Sequence, residues 1–214
     1  MSSTIRFTDE LIGYDIEVHG LKSARKASRL PKTSLAKEFS IPDDPDYDNL
    51  AKSLGKAPIG SGHDCFLKGI IVTMELEARQ HFWMQWMRYH FQDIVSSQSK
   101  MHCLVSFDID SICSRRVTKV IKEELKALIL DYKESKGLST FEMLEKFETL
   151  MDNVPMGLRL RAGIVTNYLQ LKSIYYQRRF HKMADWVQFC KWIESLPLMS
   201  KILGENYEKT SYKD

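Results

Sequence analysis

The sequence predicts an α+β fold, a single domain in which a small mixed sheet is flanked by several helices. Three observations lead there. Apolar residues recur at helical spacing through the second half of the chain, β-rich segments are few and short, and no regular βαβ alternation joins them. A length of 214 residues with 43% hydrophobic content suits one domain with a sizeable core.

Taken in order, residues 14–19 alternate polar and apolar side chains and predict a short strand. Residues 20–60 hold Pro31, Pro42, Pro45 and Pro58 and little periodicity, so they predict loop with one helical turn. Ile70, Ile71, Val72 and Thr73 make Phe66–Leu76 a buried strand, running into a helix over about 77–92. Leu104–Ile109 has the composition of another strand. Ile121, Leu125, Leu128 and Tyr132 predict a helix over 117–136, with Gly137 as its stop. Ser139 and Glu142 match a capping box that starts a helix to about Leu150. After Pro155, an apolar line through Ile164, Tyr168, Leu171 and Ile174 predicts a helix to Arg178. Asp185 is placed to cap a last helix that ends at Pro197.

Composition removes several function classes. A net charge of +3 is too small for nucleic-acid binding without a concentrated patch. The one basic stretch (Lys22, Arg25, Lys26, Arg29, Lys32, Lys37) is followed by Asp43, Asp44, Asp46 and Asp48, so both runs read as solvated surface. No segment approaches the run of about 20 apolar residues that spans a membrane, and Met1–Arg6 lacks a signal peptide's apolar core. Cys65, Cys103, Cys113 and Cys190 form no C-x-x-C pair and no zinc spacing. Free thiols, a cytoplasmic location and no metal are the expectation. Phosphate-loop, dinucleotide-fingerprint and G-x-S-x-G signatures are absent, and Gly60-Ser61-Gly62 is too short to stand for one.

Chemistry concentrates between residues 85 and 102. Gln85 and Arg88 are one helical turn apart, followed by Tyr89, His90, and then Ser97, Ser99 and Lys100. Hydrogen-bonding groups set in that much aromatic surface suit a planar, charged ligand such as a nucleotide or flavin. The bland alternatives are an Arg88 paired with Glu77, a core role for Trp83, Trp86 and Met87, and a generic basic helix face at Arg178 and Arg179.

The spacing resembles the flavin-dependent thymidylate synthases, which share a Q-x-x-R-H-R run followed by N-E-x-S-x-R. Gln85-Trp86-Met87-Arg88-Tyr89-His90 matches the first, and Ser97-Gln98-Ser99-Lys100-Met101 follows one residue late. His63 stands three before Phe66, and Glu148, Pro155, Asn167 and Arg178 keep the family's later intervals, E-x-A-R-x-x-L-P among them. The matching segments are 58–102 and 148–186. Departures are equally specific: Tyr89 and His90 replace a histidine and an arginine, Ser97 a glutamate, and Met101 and Met151 two arginines. Lys100 and Arg159 are the cations available to compensate.

The resemblance implies FAD bound between the subunits of a homotetramer, with His63, Arg88, Tyr89, His90, Asn167 and Ser173 toward the cofactor. Tyr89 or Trp86 would offer a stacking face. It implies Gln85, Ser99, Lys100 and Arg178 toward a pyrimidine nucleotide, dUMP in the family. The implied reaction is reductive methylation with NADPH and methylenetetrahydrofolate as co-substrates, reduced flavin giving hydride and no side chain acting as nucleophile. The other readings are a non-catalytic nucleotide-binding protein on the same scaffold and a helical module whose aromatic surfaces at 82–91 and 168–192 meet a protein partner.

Overall fold

The computed structural model of the protein describes residues 4–34, 40–135 and 137–203, and Lys37 of the basic stretch lies outside them. Strands β1 (Thr4–Thr8) and β2 (Leu11–His19) form a hairpin. Helices α1 (Leu21–Ala27) and α2 (Asn49–Gly55) follow, then β3 (Ile71–Arg79), α3 (Gln80–Trp86) and β4 (Gln92–Ser97). Next come α4 (Lys100–Cys103), α5 (Ile109–Ile112), α6 (Lys119–Glu134) and α7 (Thr140–Asp152). The chain closes with β5 (Arg159–Asn167), α8 (Tyr168–Arg178), α9 (Ala184–Ser195) and α10 (Met199–Ile202).

The α+β class holds, with one correction: the sheet, ordered β1-β2-β3-β5-β4, is antiparallel at every pairing rather than mixed. Its central pair runs in unbroken register from Ile71 opposite Asn167 to Arg79 opposite Arg159. Alternation fixes that register, because Val72, Met74, Leu76, Ala78, Ala162 and Ile164 all face the main core and a one-residue slip would expose them. The other face is half-buried and polar. There Arg161 pairs with Glu75 at 2.5 Å and lies over the Tyr14 ring, and Arg159 binds Glu77 at 2.8 Å. The α6–α7 hairpin carries a satellite core of Leu104, Ile109, Leu125, Ile129, Leu150 and Leu158.

Local signals decide where the elements begin. Ser139 accepts from the Glu142 amide at 3.3 Å while the Glu142 carboxylate accepts from the Ser139 amide at 3.1 Å, so the capping box is real. Gly137 sits at φ +112 just beyond α6, where a side chain would be strained. The expected strand over Leu104–Ile109 is instead a 3-10 turn followed by α5, because Asp108 turns its carboxylate onto the Asp110 amide at 3.2 Å and caps a helix there. The helix expected to about residue 92 ends at Trp86, and β4 begins six residues later. The apolar line beginning at Ile164 is a strand up to Asn167 and a helix after it. Residues 20–60 hold two helices rather than one turn.

The basic run is also not all solvated. Arg25 is buried and Arg29 largely so, and both reach the fully buried Asp48, Arg29 at 2.8 Å and Arg25 at 3.6 Å. Asp48 also accepts from the Ala51 amide at 3.0 Å, capping α2. Burial opposes ionisation of Asp48, but Arg29, that amide and Arg25 together hold its carboxyl below the usual value of 3.8. A folded-state pKa below the unfolded one contributes stability above about 3.8, lost as pH falls through the folded value. Asp48→Asn is expected to lower the urea unfolding free energy by about 1.5–3 kcal/mol at pH 7. The gap to wild type should narrow at pH 3, and an equal gap at both pH values would contradict the assignment.

Candidate functional site

A cleft of about 690 Å³ opens between three segments: the glycine-bearing loop at 59–65, the stretch 88–91 that leaves α3, and one side of α8. Arg88, Tyr89, His90, Ser173 and Arg178, five of the predicted site residues, line it together. Lys68 and Phe91 complete a wall that combines cations with an exposed ring, Lys68 Nζ lying 5.6 Å from the Phe91 ring centre.

Each segment is held by the fold. Phe91 donates its amide to Gln170 Oε1 at 3.1 Å, and its carbonyl accepts from Thr166 Oγ1 at 3.3 Å. These two bonds fix the bend that turns the chain from α3 into β4. On the facing side Lys172, itself buried, donates to the Ala57 carbonyl at 2.6 Å and to Asp64 at 2.7 Å. One ammonium thus ties both ends of the loop that carries Gly60 and Gly62. Those glycines adopt φ +89 and +80, with no atom within 4 Å of where a Cβ would stand, so the loop offers open backbone to the cleft.

Behind the wall runs a polar relay. Arg178 Nε donates to the Tyr89 hydroxyl at 2.7 Å, and its Nη1 donates to Gln85 Oε1 at 3.3 Å. Gln85 Oε1 also accepts from the Trp186 indole at 2.8 Å, while the Arg178 guanidinium lies 5.0 Å from the Trp186 ring. Burial pushes the Tyr89 phenol above its ordinary value, against the pull of Arg178, so Tyr89 is a neutral hydrogen-bonding group at neutral pH. Arg88 is exposed, and Glu77, its candidate partner by sequence, bonds Tyr14 and Arg159 instead.

The remaining predicted residues lie elsewhere. His63 is exposed on the loop between two residues of the cleft wall, Gly62 and Asp64. Gln85 is half-buried behind Arg178. Asn167, expected within a helix, is the N-cap of α8, its side chain accepting from the Gln170 amide at 2.9 Å, which explains why an asparagine stands there. Ser99 and Lys100 sit past the far end of β4, where Lys100 donates to Gln80 Oε1 at 2.9 Å. Arg159 is committed to Glu77, Glu10 and the Ser111 carbonyl, and Met151 packs against the satellite core, so neither meets the cleft.

The aromatic residues also divide differently from expectation. Trp83 and Trp86 are core, but Met87 is 60% exposed. Trp86 is too buried to stack on a ligand, and Phe91, 55% exposed, is the ring that faces the cleft. Phe82, Trp86, Trp186 and Phe189 pack face to face and edge to face inside the core. Lys68, Phe91 and Gln170 were not picked from sequence. Their signal was only position, Lys68 and Phe91 falling within the matching segment 58–102.

The one-residue delay after Gln85 has a structural counterpart. Opposite β5, Ile94 pairs with Ile164 and Ser96 with Gly163, so Val95 is an extra, bulged residue in β4. Among the described residues no group of three or more His, Cys, Asp or Glu is arranged for a metal, and no helix is long and apolar enough to cross a membrane. All four cysteines are free.

No protein-family model matches the chain, and no curated protein does. Solved structures do. A thymidylate synthase X from Helicobacter pylori with FAD and dUMP superposes with a TM-score of 0.63 at 14% identity, over 92% of this chain and 97% of that one. A second structure, flavin-dependent thymidylate synthase from the same organism complexed with FAD and dUMP, gives 0.60 at 14% identity, over 88% and 95%. The chain shares the fold of the flavin-dependent thymidylate synthases.

Proposed function

We propose that the cleft is a flavin site and that the protein is a thymidylate synthase-like flavoenzyme acting on a pyrimidine deoxynucleotide. The observation that carries this reading is the convergence on one cleft of suitable size of Arg88, Tyr89, His90, Ser173 and Arg178, residues that the family resemblance implies. The donor set fits FAD: Arg88 and Lys68 suit the pyrophosphate, Phe91 a ring face, and the open Gly60–Gly62 backbone a close approach. Bound flavin supplies redox chemistry that no side chain here can. The protein's part is to hold and orient. Arg178, fixed by Tyr89 and Gln85, presents a cation whose geometry is set before ligand arrives, with Tyr89 neutral beside it.

Ser99 and Lys100, apart from this cleft, would join the nucleotide site only across a contact between copies, which supports a homotetramer with shared sites. The exposed Met84, Met87, Ile94 and Val95 beside β4 are the surface for that contact. Sedimentation velocity tests it, and a monomer at micromolar concentration counts against it. By the same resemblance NADPH and methylenetetrahydrofolate are the co-substrates.

Arg88→Ala should weaken FAD binding about ten- to hundred-fold, the effect of losing one charge-assisted phosphate contact. Visible absorption during FAD titration measures it. Wild-type protein that takes up no flavin at saturating FAD sinks the proposal. A second reading, nucleotide binding without catalysis, draws on Met101 and Met151 standing where the family has arginines, with Met151 turned into the satellite core. Methyl transfer to dUMP by the flavin-loaded protein excludes it.

A further inference from the structure

Gln170 stands on the first turn of α8, in the wall of the cleft, and is only 4% exposed. Its Oε1 accepts from the Phe91 amide at 3.1 Å. A backbone N–H can only donate, so the oxygen must face it, and the carboxamide cannot flip without losing that bond. The Phe91 carbonyl is held too, by Thr166 Oγ1 at 3.3 Å, so the segment that orients Gln170 is itself fixed.

The other half of the carboxamide has a direction but no partner. Nε2 meets no acceptor among the described residues, and it is not sealed from solvent. Asp64, the carboxylate on the cleft wall, is bound to Lys172 instead. A side chain this buried, bonded at one end and open at the other, lacks an acceptor on its cleft side. The Phe91 ring, 55% exposed, lines the same cleft. The bond between the two residues therefore presents an NH2 donor and an aromatic ring in fixed relation.

We propose that Gln170 is a specificity-determining residue of this cleft, its Nε2 donating to an acceptor atom on the aromatic heterocycle that lies against Phe91. This rests on the flavin reading above and adds to it the residue that selects the ring. FAD carries two heterocycles with acceptor edges, the isoalloxazine with its carbonyl oxygens and the adenine with its ring nitrogens. A ring of the same shape with only donors or C–H groups at that edge would leave the Gln170 donor buried and unpaired. Such mismatches are how a polar wall rejects a close analogue.

Gln170→Glu tests this, because it keeps the size and the acceptor for the Phe91 amide but turns an oxygen toward the cleft. The full chain is titrated with FAD, FMN and ADP at pH 8, above the usual carboxylate range. We expect FAD to bind the variant about tenfold or more weakly than wild type. Of the two fragments only one should weaken with it: FMN if Gln170 meets the isoalloxazine, ADP if it meets the adenine. Gln170→Met adds no charge and leaves Phe91 held by Thr166, so it carries the same expectation should Gln170→Glu not fold. FAD bound as tightly by the variant as by wild type overturns the proposal. So does equal weakening of FMN and ADP, the result of a general loosening of the cleft. Both of these leave the flavin reading standing, whereas wild-type protein that binds none of the three overturns it as well.

Discussion

Asp64→Ala should destabilise the protein by about 3–5 kcal/mol, the usual cost of leaving one partner of a buried pair uncompensated. Asp64 and Lys172 are each 1% exposed and meet at 2.7 Å, so the substitution strands an ammonium away from water. For a chain of this length that corresponds to a drop of roughly 6–20 °C in thermal midpoint. The double variant Asp64→Leu/Lys172→Met should recover most of the loss, since replacing both members of such a pair by apolar groups is often neutral. Ligand binding separates stability from function. Both variants free the ends of the Ala57–Asp64 loop, so FAD affinity should fall in each even where the double variant melts near wild type. A single variant that unfolds like wild type would show that the pair does not hold the loop.

Trp186→Ala is the other change with a large expected effect. The indole stacks on Phe82 at 4.3 Å between ring centres, lies nearly parallel to Trp86 at 6.1 Å and donates to Gln85. Removing it opens a core cavity and should cost about 3–5 kcal/mol. Trp186→Phe keeps most of the stack and loses only the hydrogen bond, about 1 kcal/mol. Both free the Gln85 carbonyl that orients Arg178, so both should weaken ligand binding at the cleft, in contrast to their unequal effects on stability. Chemical denaturation and FAD titration of the two proteins check this, and equal destabilisation by Phe and Ala would remove the stacking argument.

Where sequence patterns were local and chemical, they could be read. Ser139 and Glu142 needed only each other, and Gly137 only its own backbone. The convergence at the cleft was legible for a different reason: Arg88, Tyr89 and His90 are adjacent, and Ser173 and Arg178 lie on one helix. What failed were features set by partners distant in the chain. Ile164 and Tyr168 satisfy a helical interval, but Ala162, Ile164 and Thr166 also satisfy strand alternation, and pairing with β3 decided between them. Asn167 marks that switch, and its meaning is visible only once the helix is seen to start at the next residue. Arg25 and Arg29 resembled solvated charge because Asp48, the residue that draws them inward, lies about twenty positions away. Lys100 and Arg159 were candidate clamps by charge alone, and their hydrogen-bond partners place them elsewhere.

Val95 has a role beyond spacing. Among the described residues β4 pairs only with β5 and forms an edge of the sheet, and a regular open edge invites pairing with any extended chain. An extra residue interrupts that row of backbone donors and acceptors and twists it, which discourages indiscriminate pairing along β4. It also sets the parity of everything downstream. With Val95 present, Gln98 exchanges backbone and side-chain hydrogen bonds with Arg161, both at 2.9 Å, and the turn toward Ser99 leaves the sheet from that anchor. Were Val95 paired opposite Gly163 instead of bulged, Ser96 and Ser97 would each move on by one partner and trade faces. The bulge thus keeps Ser96 and Ser97 in the register from which the chain leaves the sheet toward Ser99 and Lys100.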